Sequence, residues 1–170
     1  MSQRSSPGKF GVISSREASR QELEGVGLIG VIDYWESLRR GDMVPRWQYF
    51  DWKDVHPKLV PGIAVYDILE GGKDFRVRFW GTAATDLFGF DPSGQLVSDV
   101  NHYGVLTNLY RDAPKVMAAA KPIGTVHTFV LKSGIELEIP LIRLPFSEDG
   151  QSVSKILTLE NLRQHLTPRG

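Results

Sequence analysis

The chain has 170 residues, 41% hydrophobic and 24% charged, with 20 Lys+Arg balanced by 20 Asp+Glu and no cysteine, which suits one soluble globular domain with a substantial core. Zero net charge argues against the cationic surface through which general nucleic-acid binders displace counterions. The missing cysteines exclude disulfides, thiolate nucleophiles, Cys-based metal sites and a flavin–cysteine adduct.

No apolar run approaches the roughly 20 residues that cross a bilayer, and the N-terminus has no apolar signal core. The expectation is a cytoplasmic protein with neither membrane nor nucleic acid as a partner. Residues 1–19 are rich in Ser, Gly, Arg and Pro without a period, which predicts a disordered arm. Segment 20–62 opens with Leu23, Val26, Ile29, Val31, Ile32, Trp35 and Leu38 recurring at three- and four-residue steps, one face of a helix whose well-formed part spans 30–40 and ends at Gly41. The connector MVPRWQYFDWKDVHPKLVPG follows, with Asp51 placed to cap a short turn that Pro57 ends. Trp47, Tyr49, Phe50 and Trp52 are set to pack on a core. The alternative, a stacking platform for single-stranded nucleic acid, has its cations Arg46, Lys53 and Lys58 offset by Asp51 and Asp54.

From Ile63 the period becomes two. IAVYDILE and DFRVRFWG form a hairpin turning at Gly71-Gly72, and Thr82 is placed to cap a short helix that stops at Gly89. A longer helix over 102–120 carries the stripe Val105, Leu106, Leu109, Tyr110, Ala113, Val116, Met117 and Ala120, with Pro114 expected to kink or split it. Three strands, IGTVHTFVLK, GIELEIPLIRLP and SVSKILTLENL, complete a core over 63–162, leaving 163–170 as a frayed tail. This order predicts an α+β fold: one antiparallel five-stranded sheet with helices on one face, plus the N-terminal helix.

The passage FRVRFWGTAATDLFGFDPSGQ has the strand–glycine–helix look of a phosphate loop. Its glycines, Gly81, Gly89 and Gly94, lie eight and five apart and no lysine accompanies them, so neither the dinucleotide nor the P-loop spacing is met. Arg78, Gly81, Thr82, Leu87, Phe88, Gly89, Asp91 and Gly94 instead match a residue series of the PAS domain. The helix IDYWESLRRGDMVPRW, the connector FDWKDVHPKLVPGIAVYDI and the late strand IELEIPLIRLPFSEDG carry the same likeness. Over roughly residues 28–162 the chain resembles the stand-alone bacterial PAS-like proteins. That resemblance implies a sensory or regulatory module, a small-molecule ligand between sheet and long helix, output through protein partners, and a homodimer or relay through the N-terminal helix. Haem and flavin are possible for such a fold, but nothing in this sequence supports either.

On this reading the candidate pocket lining is Phe79, Leu109, Met117, His127, Phe129, Ile139 and Leu157, with Leu106, Ala113 and Leu141 close behind. His127 is the candidate polar group inside: a three-residue turn at 132–134 puts it on one face with Phe129, Leu137 and Ile139. The alternative is a histidine hydrogen-bonded in the core or at its rim. Arg78, Gly81 and Thr82 form a structural corner, Arg78 pairing Asp67 or Asp86. No metal-ligand spacing links His56, His102, His127 and His165, and Glu136 and Glu138 sit on one strand face where solvent is the expected neighbour. The reading is non-enzymatic: a module binding a small apolar or amphipathic ligand. A ligand-free adaptor with a filled core is the alternative, and a small hydrolase or isomerase would require two convergent titratable groups in a pocket.

Overall fold

In the computed structural model the described residues are 11–100 and 103–162. Six antiparallel strands make one sheet: β1 (Gly11–Glu17), β2 (Ile63–Leu69), β3 (Asp74–Trp80), β4 (Ile123–Val130), β5 (Glu136–Ser147) and β6 (Val153–Glu160), in the spatial order β1-β4-β5-β6-β2-β3. The sixth strand corrects both the strand count and the expected arm. Residues 11–17 pair along β4, from Gly11 opposite Val130 to Glu17 opposite Thr125. Apolar periodicity misses β1 because its inner side is short and its Ser-rich remainder is partly or fully exposed; ladder hydrogen bonds, not apolar burial, carry it. Residues 1–10 of the expected arm and the 163–170 tail lie outside the described residues.

The helices do not keep to one face. On one side lie α3 (Thr82–Phe88), α4 (Tyr103–Leu106) and α5 (Asn108–Ala119), packed against Tyr66, Phe75, Val77, Phe129, Ile139 and Ile156. On the other, α1 (Arg20–Gly25), α2 (Ile29–Leu38) and the aromatic connector cover Ile63, Val65, Ile142, Leu144, Phe146, Leu157 and Leu159. The sequence dictates this double cover: β5 alternates Ile139 and Leu141 inward with Ile142, Leu144 and Phe146 outward, so both phases are apolar and both faces need burial. A capping box starts α1, in which Ser19 Oγ accepts from Glu22 N at 3.1 Å and Glu22 Oε1 accepts from Ser19 N at 2.9 Å. Trp35 Nε1 donates to Pro145 O at 2.7 Å and pins α2 to β5.

The long helix divides at Thr107, not at Pro114, which sits inside α5. Proline's fixed φ suits a helix, and only the turn before it loses a hydrogen bond. That turn is held from outside: Tyr110 donates to Asp74 Oδ1 at 3.0 Å. At the hairpin corner the N-cap of α3 is Gly81, which has no side-chain cap, so Thr82 does not play the role expected of it. Gly81 has an ordinary φ of −69°, and what demands glycine is space: a Cβ there would lie 2.1 Å from Pro61 O. Gly89, at φ 86°, ends α3 in the left-handed conformation.

Candidate functional site

The face of the sheet under α4 and α5 is where a ligand was expected. Val65 pairs Phe79 and Tyr66 pairs Val77, so Arg78 is the extra residue of a bulge. The bulge reverses the strand's phase, sending Phe75 and Val77 to the α5 side while Phe79 packs among the residues under α2. Leu157 likewise faces the α2 side, as its pairing with Val65 requires. Phe79 and Leu157 therefore do not line the expected pocket. Met117 is half-buried and lies toward Gly72, at the tip of the first hairpin. Leu109, His127 and Phe129 do converge on one cavity, together with Leu106 and Leu141. Ile139 and Ala113 are buried in the surrounding core on that side.

His127 is opposite Ile139 and Phe129 opposite Leu137, the register that a three-residue turn implies. The imidazole is buried and belongs to a polar group that periodicity alone did not reveal. Asp112 projects inward from α5, and its Oδ2 accepts from Arg143 Nε and Nη2, each at 3.1 Å, and from His127 Nε2 at 3.3 Å. Arg143 Nη1 donates to Thr158 Oγ1 at 2.7 Å. Asn108 Oδ1 accepts from Arg143 Nη2 at 3.0 Å while its amide nitrogen donates to Val105 O at 3.1 Å. The side chains of Arg143 and His127 are each only 5% exposed, so this network ties α5 to β4, β5 and β6 inside the protein.

Two signals in the sequence mark the missed members. Asp112 falls at the i+3 step of the stripe Leu109, Ala113, Val116, and Arg143 continues the inward phase of Ile139 and Leu141. Each is a charge in an apolar row, and each is the other's partner.

Burial alone would raise the Asp112 carboxyl, but the hydrogen bond from His127 and the charge of Arg143 hold it well below the usual carboxylate range. Burial lowers the His127 pKa and outweighs the opposing hydrogen bond to Asp112, so the ring is neutral at pH 7 with its proton on Nε2 facing the carboxylate. At the far wall burial pushes Glu160 up to about 7, with Arg143 pulling the other way, and burial raises Tyr66 as well.

Asp112 and His127 together meet the composition of an acid–base dyad. Little space adjoins the imidazole: the cavity that His127 and Arg143 line is about 20 Å³, room for about one water molecule, while Asp112 and Arg143 also border a groove of about 300 Å³ with Ser15, Lys115 and Thr125. Haem or flavin does not fit the cavity without outward movement of the helices, since ligand pockets run from roughly 300 Å³ upward. Glu136 and Glu138 are exposed, as expected, and His56 Nδ1 caps Lys58 N at 3.1 Å on the surface. His102 and His165 lie outside the described residues. Among the described residues no His/Cys/Asp/Glu group is arranged to hold a metal ion, and no helix is long and apolar enough to cross a membrane.

Arg78 does pair with Asp67, at 2.8 Å from Nε and 2.5 Å from Nη2, and Asp67 also holds Lys155 of β6. The guanidinium remains 60% exposed while Lys155 is 9% exposed. The corner is thus braced less by Arg78 than by the buried Lys155–Asp67 pair and by Gly81 under Pro61.

A search of curated proteins found no match. Among solved structures, an RNA-binding light-oxygen-voltage receptor is similar at a TM-score of 0.45 and 10% identity, over 92% of this chain and 40% of that one. The chain therefore spans well under half of that receptor's length. A family model described as a PAS domain matches residues 26–159, the span that holds α2 to α5, the aromatic connector and all but the first strand and the last residue of the sheet. The chain belongs to the PAS-domain family.

Proposed function

We propose that this chain is a non-enzymatic, cytoplasmic regulatory PAS module that acts through protein contacts, with its interior closed around solvent and side chains. The observation that carries the reading is the 20 Å³ interior cavity beside a fully partnered Asp112–His127–Arg143 network. A packed, hydrogen-bonded interior transmits a displacement of α5 to three strands at once, which suits a module whose signal leaves by contact. The outlet is a protein partner or a second copy meeting α2, on the face opposite the network.

A sensor holding a small amphipathic ligand between sheet and α5 is the second reading. It is favoured by the polar wall that Asn108, His127 and Arg143 give the cavity, and it requires the cavity to expand. Native mass spectrometry and absorbance spectra of freshly purified protein separate the two. The first reading expects the mass of the chain, or of its dimer, with absorbance from aromatic residues alone. A copurifying mass retained in stoichiometric amount, and retained equally when exposed Met43 is replaced (Met43→Glu), would place a ligand in the interior and overturn it in favour of the second.

A further inference from the structure

A larger cavity lies outside the interior. Where the C-terminal end of α2 faces the junction between α5 and β4, a groove of about 460 Å³ opens between Ile32, Trp35, Met43, Ala119, Ala120 and Pro122. That volume is in the range of small-molecule sites, whereas the interior is not. Its lining is mainly apolar. Trp35 supplies a fixed wall, because its indole is almost wholly buried and its N–H is held by Pro145 O. Met43, 61% exposed, offers a movable one. Ala120, at φ 52°, closes α5 in the left-handed conformation, its N–H donating to Val116 O, and so fixes where the chain leaves the groove wall for β4.

The groove also carries a polar end. Glu36 and Arg39 neutralise each other at 2.7 Å. Lys121 is exposed, and no ion pair claims it among the described residues. The groove thus has an apolar body with one uncommitted ammonium beside it. Two helix C-termini meet here, and their partial negative charge offsets some of the attraction for an anion, so the preference for a negative head group is a matter of a few fold.

We infer that this groove binds an amphipathic carboxylate, its apolar body against Trp35 and Met43 and its head group at Lys121. A molecule so placed joins α2 to the α5–β4 junction, the two covers on opposite faces of the sheet. The site goes beyond the regulatory reading and does not depend on what the interior holds.

The test titrates the full chain with sodium decanoate and, as its uncharged twin, decanol, followed by calorimetry. The expected result is saturable one-to-one binding of decanoate with decanol about threefold weaker, the size of an exposed ion pair. Lys121→Ala should erase that difference, and Ala119→Trp, a substitution at an exposed helix position, should fill the groove and abolish binding of both. Met43→Glu provides a second block that needs no added volume, and circular dichroism confirms that each variant is folded. Absence of saturable binding to the parent chain overturns the inference. So does a folded Ala119→Trp or Met43→Glu variant that binds decanoate like the parent, which would place the ligand elsewhere. If a second copy fills the groove, light scattering shows a dimer that Ala119→Trp dissolves and decanoate does not compete for, and the inference also falls. Decanoate that enters the interior would instead bind all three variants alike and contradict the closed-interior reading, so the two failures are distinct.

Discussion

Asp112→Ala isolates the energetics of the buried network. In the native chain the carboxylate neutralises Arg143 through two contacts at 3.1 Å, with both side chains at least nine-tenths buried. Alanine leaves the guanidinium inside with only Thr158 Oγ1 and Asn108 as hydrogen-bond partners. Removing one member of a buried ion pair costs about 3–5 kcal/mol, because the other charge stays desolvated. In a domain of this size each kcal/mol moves the melting temperature by about 2–4 °C, so a fall of roughly 6–20 °C is expected. The double variant Asp112→Leu with Arg143→Met should recover most of the loss, since apolar groups of similar volume replace buried ion pairs at little net cost. Urea denaturation followed by circular dichroism at pH 7, on parent, Asp112→Leu, Arg143→Met and their double, gives the coupling energy directly, with Asp112→Ala measured beside them. A single-variant loss below about 1 kcal/mol, against the 3–5 expected of a buried pair, or a double variant less stable than either single one, would refute the reasoning.

The two partners of Asp67 should differ in weight. Arg78→Ala, at an exposed guanidinium, should cost less than about 0.5 kcal/mol, while Asp67→Ala strands the buried Lys155 ammonium and should cost about 2–3 kcal/mol; equal losses in urea melts would contradict the assignment. Gly81→Ala drives a Cβ against Pro61 O and should cost about 3 kcal/mol, whereas a melting temperature within 2 °C of the parent would show that the corner yields. Glu160 gives a pH dependence with a definite sign. Its pKa is raised from 4.5 to about 7, so its contribution to stability is full below the unfolded value and is lost as pH rises through the folded one. The lowered His127 pKa acts oppositely, adding stability as pH rises toward the unfolded value of 6.5. Glu160→Gln should therefore make stability climb more steeply, or fall less, between pH 5 and pH 7 in urea melts; an unchanged slope would remove Glu160 from the account.

Much of the fold was legible because its elements announce themselves by period. The hairpin 63–80, the strands from 123 onward and the three-residue turn at 132–134 appear where alternation and glycine place them, and His127 emerges on the inner face for that reason. The misses have local causes. Ser-rich β1 buries too little to leave an apolar trace. The bulge at Arg78 adds one residue, which alternation cannot foresee, and so Phe79 lies on the face opposite to the one its period predicts. Leu157 followed the same assumption of a single covered face, although β6 is apolar on both phases. Asp112 and Arg143 were visible as charges within apolar rows; what was missing was their partnership, which spans 31 residues of sequence and exists only once α5 lies across the sheet.

The central claim, a regulatory PAS module with a closed interior, is tested most directly by electron density. A high-resolution crystal structure of freshly purified protein should show, in the space between His127, Tyr66 and Phe88, no more than a single ordered water. Extended density there, with α4 and α5 displaced from the sheet and Asp112 parted from Arg143, would contradict the account.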